Sequence, residues 1–160
     1  MKNQKTNAAR ILDREKIEYE LVSYEVGPEN LAADHVAASL GEPIEQVYKT
    51  LVLRGDRTGL FVCVIAGNHE VDLKKAAKVS GNKKAEMLPM KELLPNTGYI
   101  RGGCTAIGMK KQYPVFFSED FASHPFVYVS AGVRGMQIKV APQDFMRVAD
   151  GSLADLVHEP

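Results

Sequence analysis

The stretch Val47-Tyr48-Lys49-Thr50-Leu51-Val52-Leu53-Arg54 holds one lysine within an otherwise largely apolar run, and it predicts how the chain folds. A second apolar run, Gly59 to Ala66, follows after the turn residues Gly55-Asp56-Arg57-Thr58. Two such runs joined by so short a loop predict a β-hairpin. Strands this apolar are covered on at least one face, so we expect Lys49 to be partly removed from water. Because that removal is costly for an ammonium, the lysine needs a partner or a ligand, unless it simply snorkels to solvent.

The rest of the chain divides into short helices and strands. The first helix is predicted over residues 6–16, and the second runs from an Asn30 cap, after the Gly27-Pro28 break, to about Leu40. A short helix begins at Pro43, another runs from an Asp72 cap to Ser80 before Gly81, and another runs from Pro89 to Pro95. A helix begins at Pro142 with Phe145, Met146 and Ala149 on its inner side, and a last short helix covers Leu153–His158. Strands are predicted over Tyr19–Tyr24, Ala85–Leu88, Val115–Phe117, Phe126–Ala131 and Met136–Val140. This order predicts a mixed α/β fold: a twisted, barrel-like, mostly antiparallel sheet surrounded by helices.

Length and composition indicate one globular domain over residues 1–160. Hydrophobic residues make up 45% of the chain and charged residues 25%, which is ordinary for such a domain. No apolar run approaches the roughly 18 residues that span a bilayer, and Met1 to Arg10 has no secretory signal pattern. The two cysteines give no disulfide framework. We therefore expect a cytoplasmic protein that does not associate with membranes.

The charge is zero overall but unevenly distributed. Residues 74–111 carry 9 basic and 2 acidic side chains, a local net charge of +7. Such a block either binds phosphate or nucleic acid, or is a solvated helix face and loop, and composition leaves both interpretations open.

Familiar catalytic patterns are absent. The four histidines, at positions 35, 69, 124 and 158, are dispersed, which argues against a metal site, and nothing indicates a cofactor. Gly-x-Ser-x-Gly and the glycine patterns of phosphate-binding and dinucleotide-binding loops do not occur. Cys63 lies in an apolar strand and reads as a core side chain. Cys104 lies in a glycine turn without an evident base, which favours a packing role over a nucleophilic one.

Two glycine-rich segments accompany Lys49. Arg101-Gly102-Gly103-Cys104-Thr105-Ala106-Ile107-Gly108 holds three glycines, and glycine lets the backbone approach a ligand closely. Ser130 ends an apolar strand directly before Ala131-Gly132. The glycine segment alone is equally consistent with a plain loop, and Ser130 alone would be read as a turn serine. Together with Lys49, they indicate a pocket with one cation and exposed backbone amides.

A set of motifs in fixed order resembles a known family. The motifs are Tyr48-Lys49-Thr50-Leu51, Val71-Asp72-Leu73-Lys74-Lys75, Gly102-Gly103 through Gly108 with Lys110-Lys111, and Val129-Ser130-Ala131-Gly132 through Arg134-Gly135. They resemble the YbaK/EbsC family of aminoacyl-tRNA deacylases, which is related to the editing domain of bacterial prolyl-tRNA synthetases. The resemblance extends from about Asn7 to Leu156, and it is the set rather than any one motif that is specific.

The resemblance implies a function and a site. It implies hydrolysis of the ester of a wrongly attached amino acid on tRNA, typically cysteine on proline tRNA, with prolyl-tRNA synthetase as an associated protein. It places the central lysine at Lys49, the backbone donor at Gly102, the pocket serine at Ser130 and the pocket tyrosine at Tyr24. Further motif residues are expected at the substrate: Gly103, Thr105, Gly108, Gly132 and Arg134. With such a substrate, the basic stretch is expected to contact tRNA phosphates through Lys74, Lys75, Lys78, Lys110 and Lys111.

The sequence departs from the family pattern at two places. Gln137 stands where members often carry an aspartate, and Thr105-Ala106 replaces a frequent Ser-Pro. A glutamine supplies no carboxylate, and loss of the proline changes the rigidity of the turn. An aminoacyl ester is already activated, so the expected site positions it and stabilises the oxyanion, with either the substrate's own thiol or water attacking. The alternatives are a non-catalytic module that binds aminoacyl or nucleotide ligands, and a regulatory protein with an unused pocket.

Overall fold

Two β-sheets meet near the beginning of the strand that carries Lys49. The computed structural model of the protein describes residues 5–24 and 33–158. The helices are α1 (Asn7–Arg14), α2 (Ala33–Leu40), α3 (Leu73–Ser80), α4 (Met90–Thr97) and α5 (Pro142–Ala149), with 3₁₀ turns at Ile44–Gln46 and Glu119–Ser123. The strands are β1 (Tyr19–Ser23), β2 (Tyr48–Gly55), β3 (Gly59–Ala66), β4 (Ala85–Met87), β5 (Val115–Ser118), β6 (Val127–Ser130), β7 (Met136–Val140) and β8 (Ser152–Ala154). The predicted Gly27-Pro28 break and Asn30 cap lie outside the described residues.

The predicted hairpin is the centre of the larger sheet. β2 and β3 pair antiparallel over their whole length, from Tyr48 opposite Ala66 to Gly55 opposite Gly59. The larger sheet has the order β4-β2-β3-β5-β8, and β3-β5 and β5-β8 are its parallel pairs. The smaller sheet has the order β1-β7-β6 and is antiparallel throughout. The prediction of a mixed α/β fold with a mostly antiparallel sheet is confirmed.

One bridge joins the two sheets and leaves a gap beside β2. Val47, just before β2, forms a parallel bridge with Tyr128 of β6. On the same side of β2, β4 pairs only with Leu53 to Gly55. Between these two contacts, no strand of the described chain pairs with this edge of β2. Lys49 therefore lies where the sheet opens.

The core packs on both faces of β2 and β3. Phe117, Phe121 and Phe145 are fully buried in the cluster that also contains Tyr48 and Val52. A second cluster on the opposite face contains Cys63, which is fully buried, as expected for a core side chain. Side chains alternate across a strand, so β2 contributes to both clusters.

The local signals around α3 predict its ends correctly. The Asp72 side chain accepts hydrogen bonds from the backbone N–H groups of Lys74 (3.0 Å) and Lys75 (3.1 Å), which have no partner within the helix. Gly81 follows with φ of +82°, the left-handed conformation that ends many helices.

The predicted end of α4 at Pro95 is wrong. The helix continues to Thr97 and ends before Gly98, whose φ is +87°. Pro95 lacks only the N–H that would reach the carbonyl of Lys91, near the beginning of the helix. The last turn gains two side-chain bonds instead, from Asn96 Nδ2 to the Glu92 carbonyl (2.9 Å) and from Thr97 Oγ1 to the Leu93 carbonyl (2.7 Å).

The predicted helix over Leu153–His158 is also wrong. Residues 152–154 form β8, which pairs parallel with β5, Ser152 lying opposite Phe116. Leu156 is fully buried in the second cluster. The spacing of Leu153 and Leu156 fits a helix turn, but the open edge of β5 offers the backbone a hydrogen-bonded alternative.

Among the described residues, no helix is long and apolar enough to cross a membrane.

Candidate functional site

A cavity of about 770 Å³ lies in the gap beside β2. Its wall includes Lys49 and Thr50 from β2 and Gly67 and Asn68 from the turn after β3. Further lining residues come from other parts of the fold: Tyr24 after β1, Val36 of α2, Ile44 of the 3₁₀ turn before β2, Met87, Leu88, Met90 and Leu93 near α4, Arg101, Gly102 and Cys104 of the glycine turn, and Ser130 and Gln137 of the smaller sheet. The volume is typical of sites for small ligands.

The ammonium of Lys49 is held at the cavity wall. Its Nζ donates a 3.2 Å hydrogen bond to the carbonyl of Gly67, and its side chain is partly buried. The Gly67 N–H in turn donates to the carbonyl of Val47 (2.8 Å), so the turn and the beginning of β2 hold each other. Burial lowers the pKa of Lys49 from its usual value, and the nearby carboxylate of Glu70 opposes that shift. The cation is therefore fixed by one neutral partner and remains able to bind a second, negative group.

The glycine turn presents a backbone donor to the cavity. Gly103 N–H donates to the Ile100 carbonyl (3.0 Å), which closes a turn in which Gly102 has a φ of +86°. A positive φ at this position favours glycine. No described residue accepts a hydrogen bond from the Gly102 N–H. The N–H of Gly103 is therefore occupied within the turn, and the N–H of Gly102, the expected donor, is unoccupied.

Ser130 and Gln137 project from the smaller sheet. The two residues are paired across β6 and β7, so their side chains lie on the same face. Ser130 Oγ accepts a hydrogen bond from the Gly132 N–H (3.1 Å), which leaves its own hydrogen available to a ligand. Gln137 is 5% exposed, and its Oε1 has no hydrogen-bond partner.

Other residues expected at the substrate support the glycine turn. Arg134 Nε donates to the Arg101 carbonyl (2.8 Å), which ties the loop after β6 to this turn. A Cβ on Gly103 would lie 3.2 Å from the backbone of Val133, so the two loops touch there. Gly108 and Gly132 similarly pack on Tyr99, and Thr105 is fully buried with Oγ1 unpartnered. Gly103, Thr105, Gly108, Gly132 and Arg134 do not line the cavity.

A hydrogen-bonded network adjoins the cavity through Tyr48. The Tyr48 hydroxyl donates to Asp120 Oδ2 (2.6 Å), and Ser118 Oγ donates to Asp120 Oδ1 (2.6 Å). The His124 ring lies 3.1 Å from the same tyrosine oxygen. Burial opposes ionisation of Asp120, but the bonds from Ser118 and Tyr48 hold the pKa of its carboxyl below the usual value. This network fixes the residue next to Lys49.

Cys104 lines the cavity as a neutral thiol. It is 8% exposed, and burial raises its pKa to about 12. A thiolate is the nucleophilic form, so this environment disfavours attack by Cys104.

The lysines expected at tRNA fall into two groups. Lys75 Nζ contacts Asp155 Oδ1 (3.2 Å) and the Val157 carbonyl (2.8 Å), and Lys110 Nζ donates to the Pro95 carbonyl (3.2 Å). These bonds direct both ammonium groups to the protein's own chain. Lys74, Lys78 and Lys111 are exposed, and Lys110 is exposed as well despite its hydrogen bond. None of the five lines the cavity.

The sequence analysis missed part of the lining. Thr50, Asn68 and Arg101 reach the cavity, and so do Met87 and Met90, which are 44% and 61% exposed. Methionines where a predicted strand meets a predicted helix are a weak signal in sequence. Gln137 was noticed only as a departure from a family pattern, because a lone glutamine in a strand does not mark a site.

The comparisons with known proteins agree with one another. The model of the aminoacyl-tRNA editing domain family matches residues 28–148. The protein named "Putative Cys-tRNA(Pro)/Cys-tRNA(Cys) deacylase EbsC" from Enterococcus faecalis is 48% identical over 153 residues, which are 96% of this chain and 93% of that protein. A proline–tRNA ligase from Cupriavidus necator is 32% identical over 91 residues, 55% of this chain but 16% of the ligase. A crystal structure described as "a putative trans-editing enzyme for prolyl tRNA synthetase" superposes with a TM-score of 0.82 at 22% identity, covering 98% of this chain and 100% of that one.

Proposed function

The chain belongs to the aminoacyl-tRNA editing domain family, and from that membership we propose that it is a trans-editing deacylase that removes cysteine from wrongly charged proline tRNA. The amino acid and the tRNA are taken from the name of the relative in Enterococcus faecalis, with which this chain shares 48% identity. The match to a small part of a proline–tRNA ligase supports a connection with proline tRNA.

The observation that carries the proposal is the composition of one cavity. Lys49, Gly102 and Ser130 all line it, although 81 residues separate the first from the last. They supply a cation, an unoccupied backbone N–H and a hydroxyl hydrogen. These are the groups that stabilise an ester carbonyl as it becomes an oxyanion.

Each group has a distinct task in the proposed reaction. The Gly102 N–H donates to the ester carbonyl oxygen, and Lys49 stabilises the negative charge that develops on it or holds the adjacent ribose phosphate. Ser130 orients the aminoacyl group. Lys49 is not required as a base, because an aminoacyl ester needs positioning more than it needs a strong nucleophile.

The attacking group comes from the substrate or from water. In hydrolysis, the water oxygen bonds to the ester carbon, the bond to the ribose oxygen breaks, and that oxygen takes a proton. In the alternative, the cysteine thiol attacks the same carbon, the bond to the ribose oxygen breaks and that oxygen takes the thiol proton. The cysteine then leaves as a cyclic thioester, which water opens. Cys104 is neutral and buried, so the proposal does not use it.

The tRNA is proposed to reach the cavity with its acceptor end. Lys74, Lys78 and Lys111 are exposed and carry charge that phosphates can neutralise. Contacts of this kind depend on salt and carry little sequence information. Selection of proline tRNA is therefore proposed to rely on association with prolyl-tRNA synthetase.

The test is a deacylation time course with the protein at substoichiometric concentration. Proline tRNA is charged separately with cysteine, alanine and proline, and wild-type protein is compared with Lys49→Ala. We expect multiple turnovers with cysteine only, and no turnover with the variant.

The outcomes separate the alternatives. Retention of cysteine with stoichiometric protection indicates a binding module instead of an enzyme. Equal loss of all three amino acids indicates a less selective deacylase. Full activity of Lys49→Ala refutes the proposed site even if the protein is a deacylase.

A further inference from the structure

The open edge of β2 turns main-chain groups towards the cavity at Thr50. Just before β2, the Val47 carbonyl accepts a hydrogen bond from the Gly67 N–H (2.8 Å), on the side of β3. Because the main-chain groups of successive residues alternate between the two edges of a strand, those of Thr50 and Val52 face away from β3. The Val52 carbonyl accordingly accepts from the Leu88 N–H (3.0 Å) at the other edge. Thr50, two residues earlier, faces that same edge.

No strand of the described chain pairs with β2 at Thr50 on this edge. The bridge from Val47 to β6 lies before it, and β4 begins to pair only at Leu53. Thr50 lines the cavity, and no described residue outside the β2–β3 ladder forms a hydrogen bond with it. An unpaired strand edge presents donors and acceptors to whatever lies beside it. Thr50 therefore offers one N–H and one C=O, side by side, to a ligand.

The cavity has a polar end at Lys49. The bridge between Val47 and Tyr128 is parallel, so Ser130 lies level with Lys49, two residues further along each strand. Gln137 lies opposite Ser130 across the β6–β7 pair and lines the same cavity. With the aminoacyl group at this end, as in the proposed function, the rest of the cavity is left for the ribose and base that carry the ester.

The other end of the cavity is apolar and begins beside Thr50. Leu88 bonds to Val52, which at about 3.3 Å per residue is about 10 Å along β2 from Lys49. Met87 and Met90 line this end and are 44% and 61% exposed, although methionine is usually a buried side chain. Thioether side chains make favourable contacts with aromatic rings and adapt to their shape. This wall therefore suits a flat ring.

We infer that the terminal adenine of the tRNA lies against Met87 and Met90 and is recognised by the main chain of Thr50. The Thr50 C=O accepts from the adenine N6 amino group, and the Thr50 N–H donates to N1. The inference rests on the proposed function for its ligand, because the amino acid on a tRNA is carried by a terminal adenosine. Adenine presents a donor and an acceptor next to each other on its Watson–Crick edge, and Thr50 supplies the complementary pair. Hypoxanthine presents the two in reversed order.

Ligands that differ only in the base test this recognition without altering the main chain. Cysteine is linked through a stable amide to 3′-amino-3′-deoxyadenosine, and the corresponding inosine and 7-deazaadenosine compounds are prepared. Dissociation constants are measured by calorimetry with the whole chain. In the inosine compound a ring N–H meets the Thr50 N–H and a carbonyl meets the Thr50 C=O, so we expect binding at least about tenfold weaker than that of the adenosine compound. The 7-deaza compound keeps N1 and N6, and as the matched control it should bind as the adenosine compound does.

Two substitutions test the apolar wall. Met87→Ala and Met90→Ala truncate exposed side chains, so the fold should be retained. We expect each to weaken binding of the adenosine and inosine compounds alike, by about threefold to tenfold, because contact with the face of a ring does not distinguish the bases. The preference for adenine should remain. Leu94→Ala, on α4 and 51% exposed but outside the cavity, is the matched control and should bind as wild type does.

Other results overturn the inference. Equal binding of the adenosine and inosine compounds to wild type removes the recognition by Thr50, and weaker binding of the 7-deaza compound moves it to another edge of the base. Wild-type affinity of both methionine variants removes the base from the apolar wall, and undetectable binding of all three compounds refutes the site altogether. Because binding is measured without turnover, preference for adenine in a protein that does not deacylate would refute the proposed function alone. Deacylation without any preference for adenine would refute this inference alone.

Discussion

Replacing Lys49 with methionine should separate activity from stability. Methionine keeps the length and most of the apolar stem but removes the ammonium that donates to the Gly67 carbonyl. The remaining wall of the cavity, including Gly102 and Ser130, is unchanged in composition. The variant therefore tests the charge alone.

The size of the effect on rate follows from the location of the charge. Lys49 is partly buried, where an effective dielectric constant near 20 is appropriate. A unit charge about 4 Å from an oxyanion then contributes ~4 kcal/mol. Each ~1.4 kcal/mol corresponds to a factor of ten, so the rate of deacylation should fall by about 10³.

The effect on stability should have the opposite sign. Burial lowers the pKa of Lys49 in the folded protein below its unfolded value, so the charged form is disfavoured by folding. At any pH below the folded pKa, the ammonium therefore costs stability, and methionine removes that cost. We expect the melting temperature of Lys49→Met to equal or exceed that of wild type at neutral pH.

The assay combines single-turnover deacylation of cysteinyl-tRNA(Pro) with thermal unfolding followed by circular dichroism. Lys83→Met is the matched control, because Lys83 is exposed and lies outside the cavity. A rate within about threefold of wild type for Lys49→Met would refute the assigned electrostatic role. A large loss of both rate and melting temperature would show that the lysine acts through the fold.

Three further predictions concern the surroundings of the cavity. Gly103→Ala places a Cβ 3.2 Å from the backbone of Val133. We therefore expect the free energy of unfolding, measured in urea, to fall by about 1–3 kcal/mol, and deacylation to be slower. A free energy of unfolding and a rate equal to those of wild type would contradict this contact. Asp120 has a lowered pKa in the folded state, so its stabilisation is present above its unfolded pKa and is lost as pH falls through the folded pKa. The melting temperature of wild type should accordingly fall more steeply than that of Asp120→Asn between about pH 5 and 3, and parallel curves would contradict this. Cys104→Ala should retain deacylation within about tenfold of wild type, since burial raises the pKa of the thiol to about 12, and complete loss of turnover would assign the thiol a chemical role.

Local patterns in the sequence determined most of the secondary structure. The β2–β3 hairpin has the predicted turn because a short polar loop joins two apolar runs. α3 begins after Asp72 and ends before Gly81 because a carboxylate and a left-handed glycine satisfy the ends of a helix wherever they occur. The partial burial of Lys49 was also predictable, since apolar neighbours on a strand predict a covered face.

Only the tertiary structure decided which groups meet in the cavity. The sequence gives no distance between Lys49 and Ser130, and the gap beside β2 exists because β4 pairs with β2 over three residues and β6 bridges only Val47. The pairing register places Gln137 opposite Ser130, and a shift by one residue would point Gln137 to the other face. The end of the chain joined β5 as a strand instead of a helix because an open sheet edge was available there. Short-range patterns specify elements, but strand register and sheet edges are long-range properties, and these properties form the site.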